Sequence, residues 1–392
     1  MIKIVMGYSL FLTRWYPHRY DAMEGLFVRK HAEAIGRFMP IKVLYICQRP
    51  EVKRRELHVC EWNESVREVI VYAKDSRFRF LKIMYYFIAF FSGLRFVFRH
   101  YGRPEIMHCH IFSRDIFVAY WMKKWWKIPY VVTEHWSTYL PENGTFQKSS
   151  KLNRWSVKFL AKHADKVMPV SEHLIKSMMS HGIRADYQKV NNVVDDFFFQ
   201  AQKKRESEKV RILHVSCFFD EAKNISGILR VAAQLREKRD DFELVMVGTG
   251  VDFEQMVDYA ESLNFPQGIL HFTGEQTPRE VAQWMRKSDC FILFSNYENA
   301  PVVLSECLSV GLPMLTSNVG GISEMVTEEC GILVSPKDEK ALLEKLDYMI
   351  DHFSEFDTEK IKTIAKQYSY DFVGKEVVSI YEKALSKKIL SK

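Results

Sequence analysis

The sequence predicts an α/β protein made of two doubly wound, parallel-sheet domains, and three observations carry that reading. Its 392 residues exceed one ordinary hydrophobic core, so two domains of about 200 residues are expected. Short apolar, β-prone runs alternate with longer amphipathic ones, the pattern of a parallel sheet covered on both faces. After a polar, charged stretch near residues 200–209 the pattern starts again.

Taken in order, strands are expected at Ile2 to Tyr8, Lys42 to Ile46, Val69 to Tyr72, Ile106 to His110, Tyr130 to Glu134, Lys166 to Val170 and Lys189 to Asn192. The first of these runs straight into Thr13, Arg14 and a Pro17 loop, with neither a basic start nor a small-residue cleavage site. It therefore reads as a strand and not as a signal peptide. Helices are expected at Phe27 to Gly36, Arg79 to Phe98, Ile116 to Trp126, Lys151 to His163 and Glu172 to His181. In the second half the strands are Val210 to Ser216, Phe242 to Val247, Ile269 to Thr273, Cys290 to Phe294, Met314 to Ser317 and Ile332 to Val334. Its helices are Ile225 to Lys238, Phe253 to Leu263, Pro278 to Lys287, Pro301 to Val310 and Gly321 to Val326. The expected domains are 1–200 and 201–369, and an amphipathic segment from Tyr370 is expected to cross back and complete the first. Ligands in such folds bind at the C-terminal edges of the sheets, here on either side of a shared cleft.

Composition narrows the function. With 47% hydrophobic and 27% charged residues, disordered and collagen-like chains are excluded. Seven cysteines, none spaced as CxxC, suggest neither a disulfide framework nor a zinc ribbon. The net charge of +7 hides a division: residues 1–200 carry 32 Lys+Arg against 18 Asp+Glu, and the remainder 24 against 31. Seven of eight tryptophans also lie in the first half, a mixture suited to an anionic ligand or membrane surface, or to plain aromatic packing in a basic domain. Arg77, Arg79, Lys82, Arg95, Arg99 and Arg103 bracket the apolar run Ile83 to Leu94, which at twelve residues is too short to span a bilayer. It reads equally as an interfacial helix or a buried one.

The most informative segment is FSNYENAPVVLSECLSVGLPMLTSNVGG, residues 294–321. Glu298 falls in a loop beside a helix N-terminus, and Glu306 projects from that helix about one and a half turns after Pro301. A helix N-terminus attracts phosphate and carboxylates accept from vicinal sugar hydroxyls, so a sugar nucleotide would satisfy both. For two isolated glutamates, a dipole-compensating acid and a surface charge would be the plainer reading.

The surrounding residues change that preference. The segment resembles the Glu-x7-Glu signature of retaining glycosyltransferases of the GT-B fold, specifically glycosyltransferase family 4, with Glu298 and Glu306 at its acidic positions. GLPMLTSNVGGISE is similar to that family's G-x-P-x-x-x-S-x-x-G-G-x-x-E stretch, through Gly311, Pro313, Gly320, Gly321 and Glu324. LVMVGTG (Gly248, Gly250), KVNNVVDDFF (Asn192, Asp195), VMPVSEHL (Ser171) and the turn at Gly25 extend the likeness over most of the chain. The resemblance implies two Rossmann-like domains facing across a cleft, with the first acid on the transferred sugar and the second on the donor's ribose. It places Asn299, Ala300, Pro301 and Val302 against sugar and diphosphate, with Gly25 and Gly248 also on the donor side. It makes Lys223 the diphosphate cation, whereas Cys217 stands where family members carry an arginine. Lys223 would then act with helix amides and a first-domain cation such as Arg29. It also likens His135, after a first-domain strand, to the histidine near the sugar's reacting carbon, where a neutral imidazole could donate or accept.

No metal is expected: there is no Asp-x-Asp at a strand end, and Cys109 points away from His108 and His110 on their strand. The function expected is therefore a cytoplasmic, retaining, metal-independent transfer of a hexose-type sugar from a nucleotide-diphosphate donor, with no cofactor. The acceptor is expected to be a glycan or lipid-linked hydroxyl in bacterial surface polysaccharide assembly, such as lipopolysaccharide or capsule. An anionic membrane surface, on the inner face of the cell membrane, is the further partner considered. Nucleic acid is not expected, because the basic residues are scattered without a recognition motif. A sugar-nucleotide epimerase of the same fold and a non-catalytic anion-surface binding protein are the alternatives.

Overall fold

The structure is a computed structural model, which describes residues 7–200, 204 and 207–390. Residues 2–6 of the first expected strand, and half of the expected linker (201–203, 205 and 206), lie outside these. The chain divides into two compact units. One comprises residues 1–170, 175–193 and 370–392; the other comprises 171–174 and 194–369.

The first unit runs β1 (Ser9–Thr13), α1 (Leu26–Gly36), β2 (Ile41–Arg49), β3 (Glu56–Glu61), β4 (Val66–Lys74), α2 (Arg79–Tyr101), β5 (Ile106–His110), α3 (Ile116–Trp126) and β6 (Tyr130–Glu134). It continues with α4 (Thr145–Lys148), α5 (Lys151–His163), β7 (Lys166–Pro169) and α6 (Glu172–Ser180), whose first residues belong to the second unit. The sheet order is β3-β4-β2-β1-β5-β6-β7, parallel except for β3, which pairs antiparallel with β4. Strand order reverses between β1 and β5, which is where ligands bind in open α/β sheets. β3 is absent from the sequence expectation because, as an exposed edge strand, it buries no continuous apolar run. The expected strand at Lys189 to Asn192 does not form: the chain hydrogen-bonds to Val167 and Pro169 through the Gln188 and Val190 N–H groups, without forming a regular ladder.

α2 is longer than the apolar run suggested, and by length and composition it could cross a membrane. Its face Ala89, Phe90, Gly93, Leu94 and Val97 is instead buried against β2 and β4. The opposite stripe stays open: Phe80 is 76% exposed, and Ile83, Ile88 and Phe91 are also exposed.

The second unit holds α7 (Asp196–Phe199), β8 (Val210–Val215), α8 (Asp220–Lys223), α9 (Ile225–Leu235), β9 (Phe242–Val247), α10 (Phe253–Ser262), β10 (Leu270–Gly274), α11 (Pro278–Lys287), β11 (Cys290–Leu293) and α12 (Val302–Val310). β12 (Met314–Ser317), β13 (Gly331–Val334), α13 (Glu339–His352) and α14 (Thr358–Ala365) follow. α11 begins with a full capping box, Thr277 and Glu280 satisfying each other's backbone N–H, with Pro278 at the first turn. The helix expected at Gly321 to Val326 is only a 3₁₀ turn, Ile322–Glu324, since its last residues already turn toward β13. The all-parallel order β10-β9-β8-β11-β12-β13 reverses between β8 and β11.

The final helix, α15 (Tyr370–Leu390), packs on α1 in the first unit. Val373, Val377, Ile380, Tyr381 and Ala384 recur at helical spacing and join Val28, Ala32 and Ile35 in one core. The helices approach so closely at Gly374 that a Cβ there would lie 2.2 Å from the Ala34 carbonyl oxygen. Helix propensity alone would make Gly374→Ala a gain of about 1 kcal/mol. Overpacking against backbone costs about 1–3 kcal/mol, so the variant is expected to be less stable than wild type by about 1 kcal/mol or more in urea titration. A gain in stability would show that the α1–α15 contact is looser than described.

Candidate active site

At the reversal point of the second sheet, the loops leaving β8 and β11 meet. The loop after β8 ends in α8, which carries Lys223, and the loop after β11 carries Glu298 just before α12. Lys223 Nζ lies 2.5 Å from Glu298 Oε1, and the two side chains are 16% and 10% exposed. Ser295 Oγ donates to the same oxygen at 2.8 Å, and Ser317 Oγ donates to the Ser295 carbonyl at 2.6 Å. The two loops are also tied backbone to backbone, the Asn296 N–H donating to the Ala222 carbonyl. Burial disfavours the Lys223 ammonium, but the Glu298 carboxylate beside it more than offsets this and holds its pKa above the ordinary lysine value.

The loop after β12 closes the floor. Gly320, at φ +55°, sits so tightly under Glu298 that a Cβ would come within 1.8 Å of the Glu298 carbonyl oxygen. Only glycine fits there. The Gly321 N–H donates to the Asn299 carbonyl at 2.9 Å, and Ser171 Oγ donates to Asn299 Oδ1 at 2.8 Å. Glu324 accepts from the backbone N–H groups of Glu172 and His173, which caps the start of α6. Gly248 lies in the neighbouring turn after β9, against Ser216.

α12 begins at Val302, with Pro301 as its N-cap. Pro301 has no N–H, so among the four residues after Glu298 the donors are Asn299, Ala300 and Val302. Glu306 is partly buried four residues into α12, about 6 Å along the axis from Val302. Lys223, Glu298, Asn299, Ala300, Pro301, Val302, Glu306 and Gly248 thus belong to one unit. Gly25 and His135 belong to the other.

In that first unit, Gly25 is the left-handed N-cap of α1, packed on the Trp15 backbone. His135 packs on Phe27, ring centroids 4.4 Å apart, and beside His31 and His110. Burial first, and the neighbouring imidazoles next, hold His135 well below the ordinary histidine pKa, so the ring is neutral at pH 7. His108 and His110 stack at 4.2 Å on one face of β5, and among the described residues no group of acids, histidines and cysteines is placed to hold a metal ion. Arg29, the first-domain cation considered for the diphosphate, has its guanidinium paired with Glu68 at 2.9 Å, and Tyr16 also holds that acid, at 2.6 Å. Ser295 and Ser317 escaped the sequence reading, for a serine three residues before a glutamate carries no signal of its own.

The chain's two halves match two family descriptions, Glycosyltransferase Family 4 over residues 28–196 and Glycosyl transferases group 1 over 195–366. Among curated relatives, an uncharacterized glycosyltransferase of Methanocaldococcus jannaschii is 25% identical over 72% of this chain and 76% of its own length. N-acetyl-alpha-D-glucosaminyl L-malate synthase of Bacillus anthracis is 28% identical over 57% and 58%. Lipopolysaccharide 1,6-galactosyltransferase of Escherichia coli is 24% identical over 55% and 62%. Among solved structures, sucrose-phosphate synthase from Thermosynechococcus elongatus superposes with a TM-score of 0.74 at 15% identity, covering 97% of this chain and 100% of that one. Anabaena HepE in complex with UDP superposes with a TM-score of 0.70 at 13% identity, covering 96% and 100%. The fold is therefore GT-B, two Rossmann-like domains. The protein is a family 4-like glycosyltransferase.

Breaking a buried ion pair from one side strands the other charge, at a cost of about 3–5 kcal/mol, whereas removing both is far milder. Lys223→Met is accordingly expected to lower the stability of the second domain by about 3 kcal/mol, and Lys223→Met/Glu298→Gln to recover most of that loss in thermal denaturation. A double variant no more stable than Lys223→Met would contradict the pair.

Proposed function

We propose that this enzyme transfers a hexose-type sugar from a nucleotide diphosphate to an acceptor hydroxyl with retention of configuration and without a metal ion. The observation that carries the reading is the Lys223–Glu298 pair beside the start of α12. A cation and helix amides offer the countercharge that a departing diphosphate needs. In this reading Glu298 orients the transferred sugar and Glu306 binds the ribose. The bond from the anomeric carbon to the diphosphate oxygen breaks, a bond to the acceptor oxygen forms on the same face, and the departing phosphate oxygen takes the acceptor's proton. His135 enters as a neutral hydrogen-bonding group near the sugar, and Gly25 and Gly248 as turns that let backbone approach the donor. UDP, the nucleotide in the Anabaena structure, is the first donor base to test.

For the acceptor we favour a lipid-linked glycan of surface polysaccharide, on the inner face of the membrane. The Escherichia coli relative, a lipopolysaccharide galactosyltransferase, supports it, and so does the surface of the first domain. Trp125 is 71% exposed and stacks on Trp121, Trp155 and Leu152 on α5 are also exposed, and Leu152 lines one groove with Ile83 of α2. Aromatic side chains with flanking cations suit a membrane interface.

Two measurements test the proposal. Glu306→Ala is expected to raise the donor KM more than it lowers kcat, while Glu298→Ala lowers kcat by about 10²–10³, in assays of UDP-sugar turnover with product anomers read by NMR. Near wild-type kinetics in both variants would overturn the assignment of the acids, and donor consumed without transfer would indicate an epimerase. Cosedimentation with phosphatidylglycerol vesicles is expected for wild type, weakening with salt and falling at least tenfold in Arg95→Glu/Arg99→Glu and in Phe80→Ser/Trp125→Ser. Equal pelleting of all three proteins would remove the membrane from the proposal.

A further inference from the structure

The reversal point of the first sheet, between β1 and β5, opens into a groove of about 670 Å³, within the usual size of a ligand site. Its chemistry is two-sided. Arg14 and Arg114, on the loops after β1 and β5, and Arg79 and Lys82, on the first turn of α2, bring four cations to it. No carboxylate lines it among the described residues. Lys82 is shared with Asp75 at 2.9 Å, but Arg14, Arg79 and Arg114 have no ion pair among the described residues. Arg14 and Arg114 rest instead on rings, Arg14 4.4 Å from Trp136 and Arg114 4.7 Å from Tyr86. Behind Tyr86 lies one acid, buried Asp115. Its carboxylate accepts from the Tyr86 hydroxyl, and burial raises its pKa to about 6.

The other wall is apolar, formed by Ile83, Phe87, Phe117, Leu152 and Leu160. Ile83 and Leu152 stay exposed at the rim, which therefore runs into the aromatic surface of α2 and α5. Ile111, just before the lining residues Phe112, Ser113 and Arg114, is held at φ +66°, a left-handed conformation that a β-branched residue adopts only when its surroundings enforce it. Such strain collects at ligand sites. A sugar hydroxyl alone would need neither four cations nor a hydrocarbon wall.

We infer that this groove binds the phosphate of a lipid-borne acceptor, its phosphate or diphosphate among Arg14, Arg79, Lys82 and Arg114 and the first isoprenoid or acyl carbons along Ile83, Phe87 and Leu152. The inference rests on the glycosyl-transfer reading and names the acceptor class for it. The anion offsets a concentrated positive charge, and the chain covers apolar surface that is otherwise wet.

The test is calorimetric titration of the full chain with farnesyl diphosphate, inorganic diphosphate and farnesol, with UDP titrated in parallel. Farnesyl diphosphate is expected to bind at least tenfold more tightly than either fragment. Arg79→Glu/Lys82→Glu, both on the surface, is expected to lose at least tenfold of that affinity while keeping UDP affinity; Ile83→Asp/Leu152→Asp is expected to do the same. Equal binding of inorganic diphosphate would make the groove a simple anion site and overturn the inference, as would no binding of farnesyl diphosphate. Because UDP is followed separately, loss of farnesyl diphosphate binding alone condemns the groove. Absence of UDP binding instead overturns UDP as the donor nucleotide, and leaves the groove to be judged on farnesyl diphosphate alone.

Discussion

A buried charge needs a partner, and much of the second domain's site follows from how Glu298 finds one. Lys223 and Glu298 lie 75 positions apart in sequence, so they meet only because β8 and β11 are adjacent parallel strands whose following loops start at the same edge. Withdrawn from water, neither group is tolerable alone. The pair therefore locks two loops together, and the Asn296–Ala222 backbone bond and the Ser317–Ser295 bond register them further. Gly320 is the steric complement of this arrangement: the third loop can pass beneath Glu298 only where there is no side chain.

What could be read in the sequence follows the same physics. The strands Ile106–His110, Tyr130–Glu134, Phe242–Val247 and Met314–Ser317 and the helices Ile116–Trp126, Lys151–His163 and Pro278–Lys287 have the bounds expected of them. Central strands are buried on both faces and read as unbroken apolar runs, and these helices begin or end at capping residues or prolines. β3 failed this reading because Glu56, Glu61 and half-exposed Leu57 and Val59 give it no apolar face, and its strand character comes from pairing with β4. α2 was legible as an apolar run with flanking cations, but nothing local says that one of its faces packs on β2 and β4 while the other stays open. At the candidate site, the two acids and the glycines stand out by spacing. Ser295, three residues before Glu298, carries no local signal, and the Ser317–Ser295 bond and the engagement of Arg29 by Glu68 are long-range facts that no short window contains.

The two sheets repeat one layout with opposite electrostatics. Each reverses strand order at its centre, and each gathers loop residues at that point. In the second sheet a carboxylate and an ammonium neutralise one another. In the first, cations converge without acids among the lining residues, consistent with the +14 that separates 32 basic from 18 acidic residues in positions 1–200. Cys217, which brings no charge to the loop after β8, adds to the contrast between them.

The return of α15 to the first unit has a bearing on how the protein is made. The helix that completes the core around Val28, Ala32 and Ile35 is encoded after the whole of the second unit. During synthesis at roughly 5–20 residues per second, α1 emerges and then waits on the order of ten seconds or more for its partner. In that interval the second unit, whose segments are nearly contiguous, can fold first. The first domain, though it leads the chain, is the last to be finished, and its uncovered apolar face is what a nascent-chain chaperone would meet.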